Sequence, residues 1–243
     1  MPNLEQPEML ETLEQRHLIW RGRETPTMPG TRASGWAEVD QYLGGLPGAG
    51  AVAVHSPLAI GEIRLLWPSV QAGERLSVMV NPPFQLSAEA LLAEQLTPER
   101  WLVVRSGTDK DALWSAEQSV KSGCCDSVWL WPSPSLSQAQ VRRLQLAART
   151  GEATLFLFFT DSRTPNLSWP VDMHLVLAPH PDGVRVSVPR RRQGRPVGAF
   201  SVAMTARWPE LCATYTEKHR AAMPKAPMPK APIQKTPMHR TAV

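Results

Sequence analysis

The chain is poor in the residue patterns that most readily give a chemistry away. It has three cysteines, Cys124 beside Cys125 with Cys212 remote, and this odd set fits neither a disulfide framework nor a zinc site. A reduced, cytoplasmic compartment is the expectation that follows. Cys124 and Cys125 fall between a predicted helix and a predicted strand, where buried structural thiols are expected. No apolar run approaches the length of a membrane span. The opening MPNLEQPEMLETLEQ is acidic and lacks an apolar stretch, so it does not read as a signal peptide. The six histidines, at 17, 55, 174, 180, 219 and 239, show no H-E-x-x-H spacing, and no C-x-x-C occurs, so no metal is expected. No G-x-S-x-G elbow or paired-carboxylate constellation is present, which leaves a hydrolase without support. Tyrosine is scarce, two against nine tryptophans. Most of those indoles are expected in the core, with Trp20, Trp67 and Trp208 as candidates for a partner interface.

Negative charge is missing from one region altogether. From Lys218 to Val243 there are six Lys and Arg and no Asp or Glu, which leaves 20 basic and 22 acidic residues before it. The net charge of +4 and the pI of about 9.2 are therefore properties of the tail, not of the body. That tail repeats PKAPM, PKAPI and QKTPM. Its prolines and spaced lysines cannot bury a core, and extended, polyproline-like disorder is expected.

What is present is an alternation of strand and helix signals. Residues 5–24 read as a short helix with Leu10, Leu13, His17, Leu18 and Ile19 near one face, followed by a Pro/Gly connector to Gly30. Apolar runs at Ala51–His55, Ser77–Val80, Trp101–Val104, Ser127–Trp131 and Thr154–Phe159 predict five strands. Being continuous rather than alternating, they suit parallel strands covered on both faces. Between them, Ser87, Thr108 and Ser137 are helix N-caps, Thr108 with Asp111 in a variant capping box. The second of these helices should bury Ala112, Leu113, Ala116 and Val120. The third should bury Val141, Leu144, Ala147 and Ala148. Gly123 and Gly151 should end them. After residue 170 the strands alternate, at Met173–Leu177, Val184–Val188 and Phe200–Met204, with Pro181-Asp-Gly183 as a turn between the first two. The fold class expected is α/β: an open sheet with parallel central strands, helices on both faces and an antiparallel C-terminal hairpin extension. Three parts are expected: an N-terminal helix and connector at 1–30, a main domain at 31–210, and a disordered basic tail at 211–243.

The segment GAVAVHSPLAIGEIRLL, residues 50–66, lays a strand, a short loop, a glycine and a helix start in the order of a phosphate-binding loop. The pattern G-x-x-x-x-G-K-[ST] needs a lysine for the β- and γ-phosphates and a hydroxyl for Mg²⁺. Here Ser56 and Gly61 frame the loop, but Glu62 stands for the lysine and Ile63 for the hydroxyl. A carboxylate at that place repels a triphosphate, so the loop reads as a degenerate P-loop with no cofactor.

Two stretches carry a family resemblance. Gly35-Trp-Ala-Glu-Val-Asp40 and Leu43-Gly-Gly-Leu-Pro47 resemble the approach to the P-loop of RecA-type recombinases. Ser122 to Trp131, with the helix before it, resembles their Walker B strand. Within that superfamily the chain resembles the ATPase-dead branch that contains SulA and ImuA. The blocks LIWRGRE, GEIRLLWPSV, DALWSAEQ, RRLQLAARTGEATLFLF and RRRQGRP, in that order between about residues 10 and 205, are similar to ImuA. The resemblance implies a RecA-like sheet and a lost Walker B acid at Trp131. It also implies that Thr160 and Asp161 stand where recombinases sense the γ-phosphate. It further implies no enzymatic activity and a role as an accessory protein of SOS-induced translesion DNA synthesis. The partners it implies are an ImuB-like inactive Y-family polymerase and RecA. An alternative within the same superfamily is a SulA-like inhibitor that binds FtsZ. The basic residues Arg190, Arg191, Arg192 and Arg195 are the candidate contacts to DNA or a partner, through phosphates rather than bases.

Overall fold

In a computed structural model of the protein, residues 30–160, 166–209 and 212 are described. The predicted N-terminal helix with Trp20, its connector, Asp161 and the basic tail lie outside them. An eight-stranded sheet organises the described part, in the order β10-β9-β8-β3-β7-β6-β4-β5. The strands are β3 (Gly50–His55), β4 (Leu76–Val80), β5 (Trp101–Val104), β6 (Cys125–Leu130), β7 (Thr154–Phe159), β8 (Met173–His180), β9 (Gly183–Arg191) and β10 (Val197–Ala203). β8, β3, β7, β6, β4 and β5 run parallel; β9 and β10 close one side antiparallel. Two short strands, β1 (Thr31–Arg32) and β2 (Leu46–Pro47), form a separate antiparallel pair.

The expected fold class is therefore the observed one. All six residues of β3 are buried, as its unbroken apolar run requires for a strand covered on both sides. Five helices supply the cover: α1 (Ala37–Leu43), α2 (Glu62–Gln71), α3 (Ala88–Ala93), α4 (Asp109–Lys121) and α5 (Gln138–Thr150). One core layer packs Val39, Leu65, Leu66 and Leu91 against Val52, Met79, Trp129 and Phe156. The other packs Ala112, Ala116, Val120, Val141, Leu144 and Ala148 against Ala51, Ala53, Val78 and Leu155. Each fully buried large apolar side chain contributes about 1.5–3 kcal/mol.

The caps form as read. Ser137 accepts from the Gln140 amide and Gln140 returns a bond to the Ser137 amide, a complete capping box. Ser87 accepts from the Ala90 amide. Thr108 accepts from the Asp111 amide at 3.1 Å. The shorter Asp111 side chain takes the Thr108 hydroxyl rather than its backbone N–H, so only half of the box is made.

Packing extends one expectation and corrects two. The expected antiparallel hairpin of β8 and β9 forms, and β8 also pairs parallel with β3, so it joins the extension to the main sheet. Trp67 and Trp208 do not form a surface. Trp208 packs at a tilt against Trp36, at 5.8 Å between ring centroids, and its indole donates to Glu94; both Trp67 and Trp208 lie in the core. Cys125 is buried as a structural thiol, and burial pushes its pKa up, but Cys124 is exposed. Cys124 stands in the link between α4 and β6, outside the strand that carries Cys125 inward.

Candidate functional site

The loop after β3 is shaped like an anion cradle. β3 ends at His55, the Ser56 amide donates to the Phe159 carbonyl, and the chain then turns through Ala59 (φ +62°) and Gly61 (φ +104°) into α2. This arrangement turns the amides of Ala59, Ile60 and Gly61 toward one point, the concavity that in phosphate-binding loops receives an oxyanion. Here that point is filled from within. Glu62 folds back from the first residue of α2. Its Oε1 accepts from the Ala59 amide at 3.1 Å, and its Oε2 from Ile60 at 3.0 Å and Gly61 at 3.2 Å. The side chain is buried. The sequence showed only that the charge is wrong for a nucleotide. The structure shows that the carboxylate itself accepts from the three amides of the turn.

Gly61 makes this turn possible. A Cβ there would lie 3.3 Å from both Met204 Sδ and Val184 Cγ2, in a left-handed backbone that L side chains resist. Gly123 has φ +71° but open space around it. Gly61→Ala is therefore expected to cost about 2–3 kcal/mol, strain plus crowding, and Gly123→Ala only about 1 kcal/mol. Urea denaturation of both variants checks the difference; equal losses would show that the loop is not tightly seated.

Beside the cradle, at the C-terminal ends of β3, β6 and β7, lies an aromatic cleft of about 380 Å³. Crevices at this edge are where open α/β sheets bind ligands. Its walls come from two aromatic pairs, one stacked and one tilted. Trp131 lies flat on Phe158, with ring centroids 4.5 Å apart and planes 11° apart. Trp169 packs on Phe159 at 4.4 Å. Pro83, Pro132 and Pro134 complete the rim with Thr160 and Asn166. None of the described lining residues is Asp, Glu, Lys or Arg. Trp131, which the resemblance places where a Walker B acid would stand, thus sits in an uncharged aromatic stack.

His55 borders this cleft and lies parallel to His174, with ring centroids 5.9 Å apart. His55 is 7% exposed and His174 is 0% exposed. Neither ring nitrogen of His174 meets hydrogen-bond geometry with any described residue, nor does Nε2 of His55. Burial, and then the neighbouring His174, lowers the pKa of His55 to about 4. Burial is also the main cause that lowers His174 to about 4; the Trp169 backbone acts against it and the Arg190 guanidinium adds to it. Both imidazoles are therefore neutral in ordinary buffers.

The four arginines proposed as contacts do not converge. Arg190 and Arg191 lie in β9 itself, not in a free loop, and point to opposite faces. Arg190 donates to the carbonyls of Leu167 and Trp169. Arg191 donates to the carbonyls of Leu43 and Arg195, and burial lowers its pKa. Arg192 lies 3.9 Å from Asp172, a buried acid that also binds Arg149, Gln145 and the Ala51 amide. Arg191 and Arg192 line a second cavity, of about 320 Å³, with Asp172 and Arg149. Asp172 borders β8 near its start, so this cavity opens at the edge opposite the aromatic cleft. Arg190, Arg192 and Arg195 are exposed and Arg191 is half-buried. Sequence reasoning missed the cleft and the histidine pair, because His55, Trp131 and Trp169 come together only through sheet order.

Among the described residues, no group of three or more His, Cys, Asp or Glu could hold a metal ion. No helix among them is long and apolar enough to cross a membrane.

No protein-family profile matches this chain, and no curated protein matches it. Among solved structures, SulA from Pseudomonas aeruginosa aligns with 25% sequence identity over 44% of this chain and 95% of that chain, at a TM-score of 0.38.

Proposed function

We propose that the protein is a non-catalytic accessory factor of SOS-induced translesion DNA synthesis. It would work as a RecA-type scaffold through protein partners, with DNA contact as an added anchor. The observation that carries the non-catalytic part is the seating of Glu62. A scaffold whose Ala59, Ile60 and Gly61 amides are already bonded to its own carboxylate sets a negative charge against an incoming phosphate. The role in translesion synthesis rests on the order of the ImuA-like sequence blocks, and the expected partners are an ImuB-like inactive Y-family polymerase and RecA. Arg192 and Arg195 would supply phosphate contacts, sequence-independent and salt-sensitive.

Three measurements test this reading. Calorimetric titration with Mg-ATP is expected to give no binding heat for the wild type, and Glu62→Lys is expected not to create any. Affinity capture with purified partners is expected to retain the ImuB-like polymerase and RecA. Sedimentation of FtsZ polymers with near-equimolar protein is expected to leave the polymers intact; their loss would replace the adaptor with a SulA-like division inhibitor.

A further inference from the structure

The aromatic cleft and the proline repeats of the tail are two unexplained features with matching chemistry. Proline-rich recognition uses a groove walled by aromatic rings, into which prolines of a polyproline II helix pack. Such a segment loses little entropy on docking because its conformation is preset. The cleft is walled by Trp131, stacked on Phe158, and by Trp169, tilted against Phe159, with a polar rim at Thr160 and Asn166 for backbone groups. Its described lining carries no Asp, Glu, Lys or Arg, and its aromatic walls suit an uncharged, ring-bearing ligand.

The chain carries such a ligand twice, as Pro224-Lys-Ala-Pro227 and Pro229-Lys-Ala-Pro232. With three residues per turn, each motif places its two prolines on one edge of the helix and its lysine on another, free to stay in water. The tail is also near enough. Cys212 bonds to the Asp182 carbonyl in the turn between β8 and β9, at the same edge of the sheet as the cleft. From β8 to β6 is three strand spacings, roughly 15 Å. The eleven residues from 213 to 223 reach about 36 Å when extended, so the link is ample.

We propose that the cleft between Trp131 and Trp169 is a polyproline-binding site, and that its occupant is the chain's own Pro224–Pro232 segment. Docking covers the cleft in the resting protein, and a competing proline-rich peptide displaces the tail. The site does not depend on the translesion reading.

The test uses the full chain labelled with 5-fluorotryptophan, its resonances assigned through single Trp→Phe variants. Replacing Pro224, Pro227, Pro229 and Pro232 together by alanine is expected to shift the Trp131 and Trp169 signals and to leave that of the enclosed Trp129 in place. Adding a synthetic peptide of residues 221–238 to this variant is expected to restore the original positions. Trp169→Ala in the same background is expected to weaken peptide binding by about tenfold. Because the alanine substitutions lie in the tail, they leave the folded body untouched. Unchanged Trp131 and Trp169 signals in the tail variant, or failure of the peptide to move them, would overturn the proposal. Wild-type signals that move on dilution would overturn it in favour of a tail from a second copy. A shift produced by a single-stranded oligonucleotide, but not by the peptide, would assign the cleft to nucleic acid instead.

Discussion

Glu62→Ala is expected to lower the unfolding free energy by about 3 kcal/mol, in guanidinium or urea titrations at neutral pH. The reasoning is a count of stranded donors. Three amides in a tight turn lose their acceptor, and the buried carboxylate that served them is gone. A buried donor left unsatisfied costs about 1–3 kcal/mol, reduced where water can enter the emptied space. Glu62→Gln keeps one carbonyl oxygen and is expected to lose about half as much. Glu62→Lys restores the residue type of a phosphate-binding loop but sets an ammonium against three N–H groups, and is expected to be the worst of the three. If Glu62→Lys were as stable as the wild type, the carboxylate would not be seated in the cradle.

Acid is expected to destabilise the fold earlier than ordinary carboxylates would dictate, through His55 and His174. Each has a pKa of about 4 in the folded chain, against about 6.5 when unfolded. Below pH 6.5 the unfolded chain binds protons that the folded chain refuses. The stabilisation is thus fully present above pH 6.5 and is lost progressively as the pH falls through about 4. Each histidine contributes on the order of 3 kcal/mol over that window. The rings are 5.9 Å apart, so the two titrations are coupled and belong to the pair. His174→Leu keeps the site apolar and is expected to remove about half of the pH dependence between 6.5 and 4. A His174→Leu profile parallel to that of the wild type would mean that the pair does not govern acid stability.

Much of the scaffold was legible because its signals are local. Uninterrupted apolar runs such as TLFLFF announce strands covered on both faces. Ser137 with Gln140 announces a helix start, and Pro181-Asp-Gly183 announces a turn. Each depends on residues a few positions apart and needs nothing from the rest of the chain. Readings that depended on exposure did less well. Trp67 and Trp208 were candidates for a surface because a sequence does not say which face of a short helix or closing segment meets the core. Arg190 and Arg191 looked like a basic loop, but β9 runs further than its alternating residues showed and draws both side chains into backbone contacts.

The sequence by itself determined that the loop after the first central strand carries neither the lysine nor the hydroxyl of the phosphate-binding pattern. Glu62 and Ile63 have the wrong charge and the wrong atoms, whatever the fold around them. Only the tertiary structure decided what those residues do instead. A carboxylate in the first turn of a helix can point to water or fold back, and the positive φ angles of Ala59 and Gly61 are what present three amides for it to fold onto. The aromatic cleft needed the tertiary structure for a second reason. His55, Trp131 and Phe159 end three strands that are neighbours in the sheet and far apart in the chain, and parallel pairing alone brings their ends to one edge.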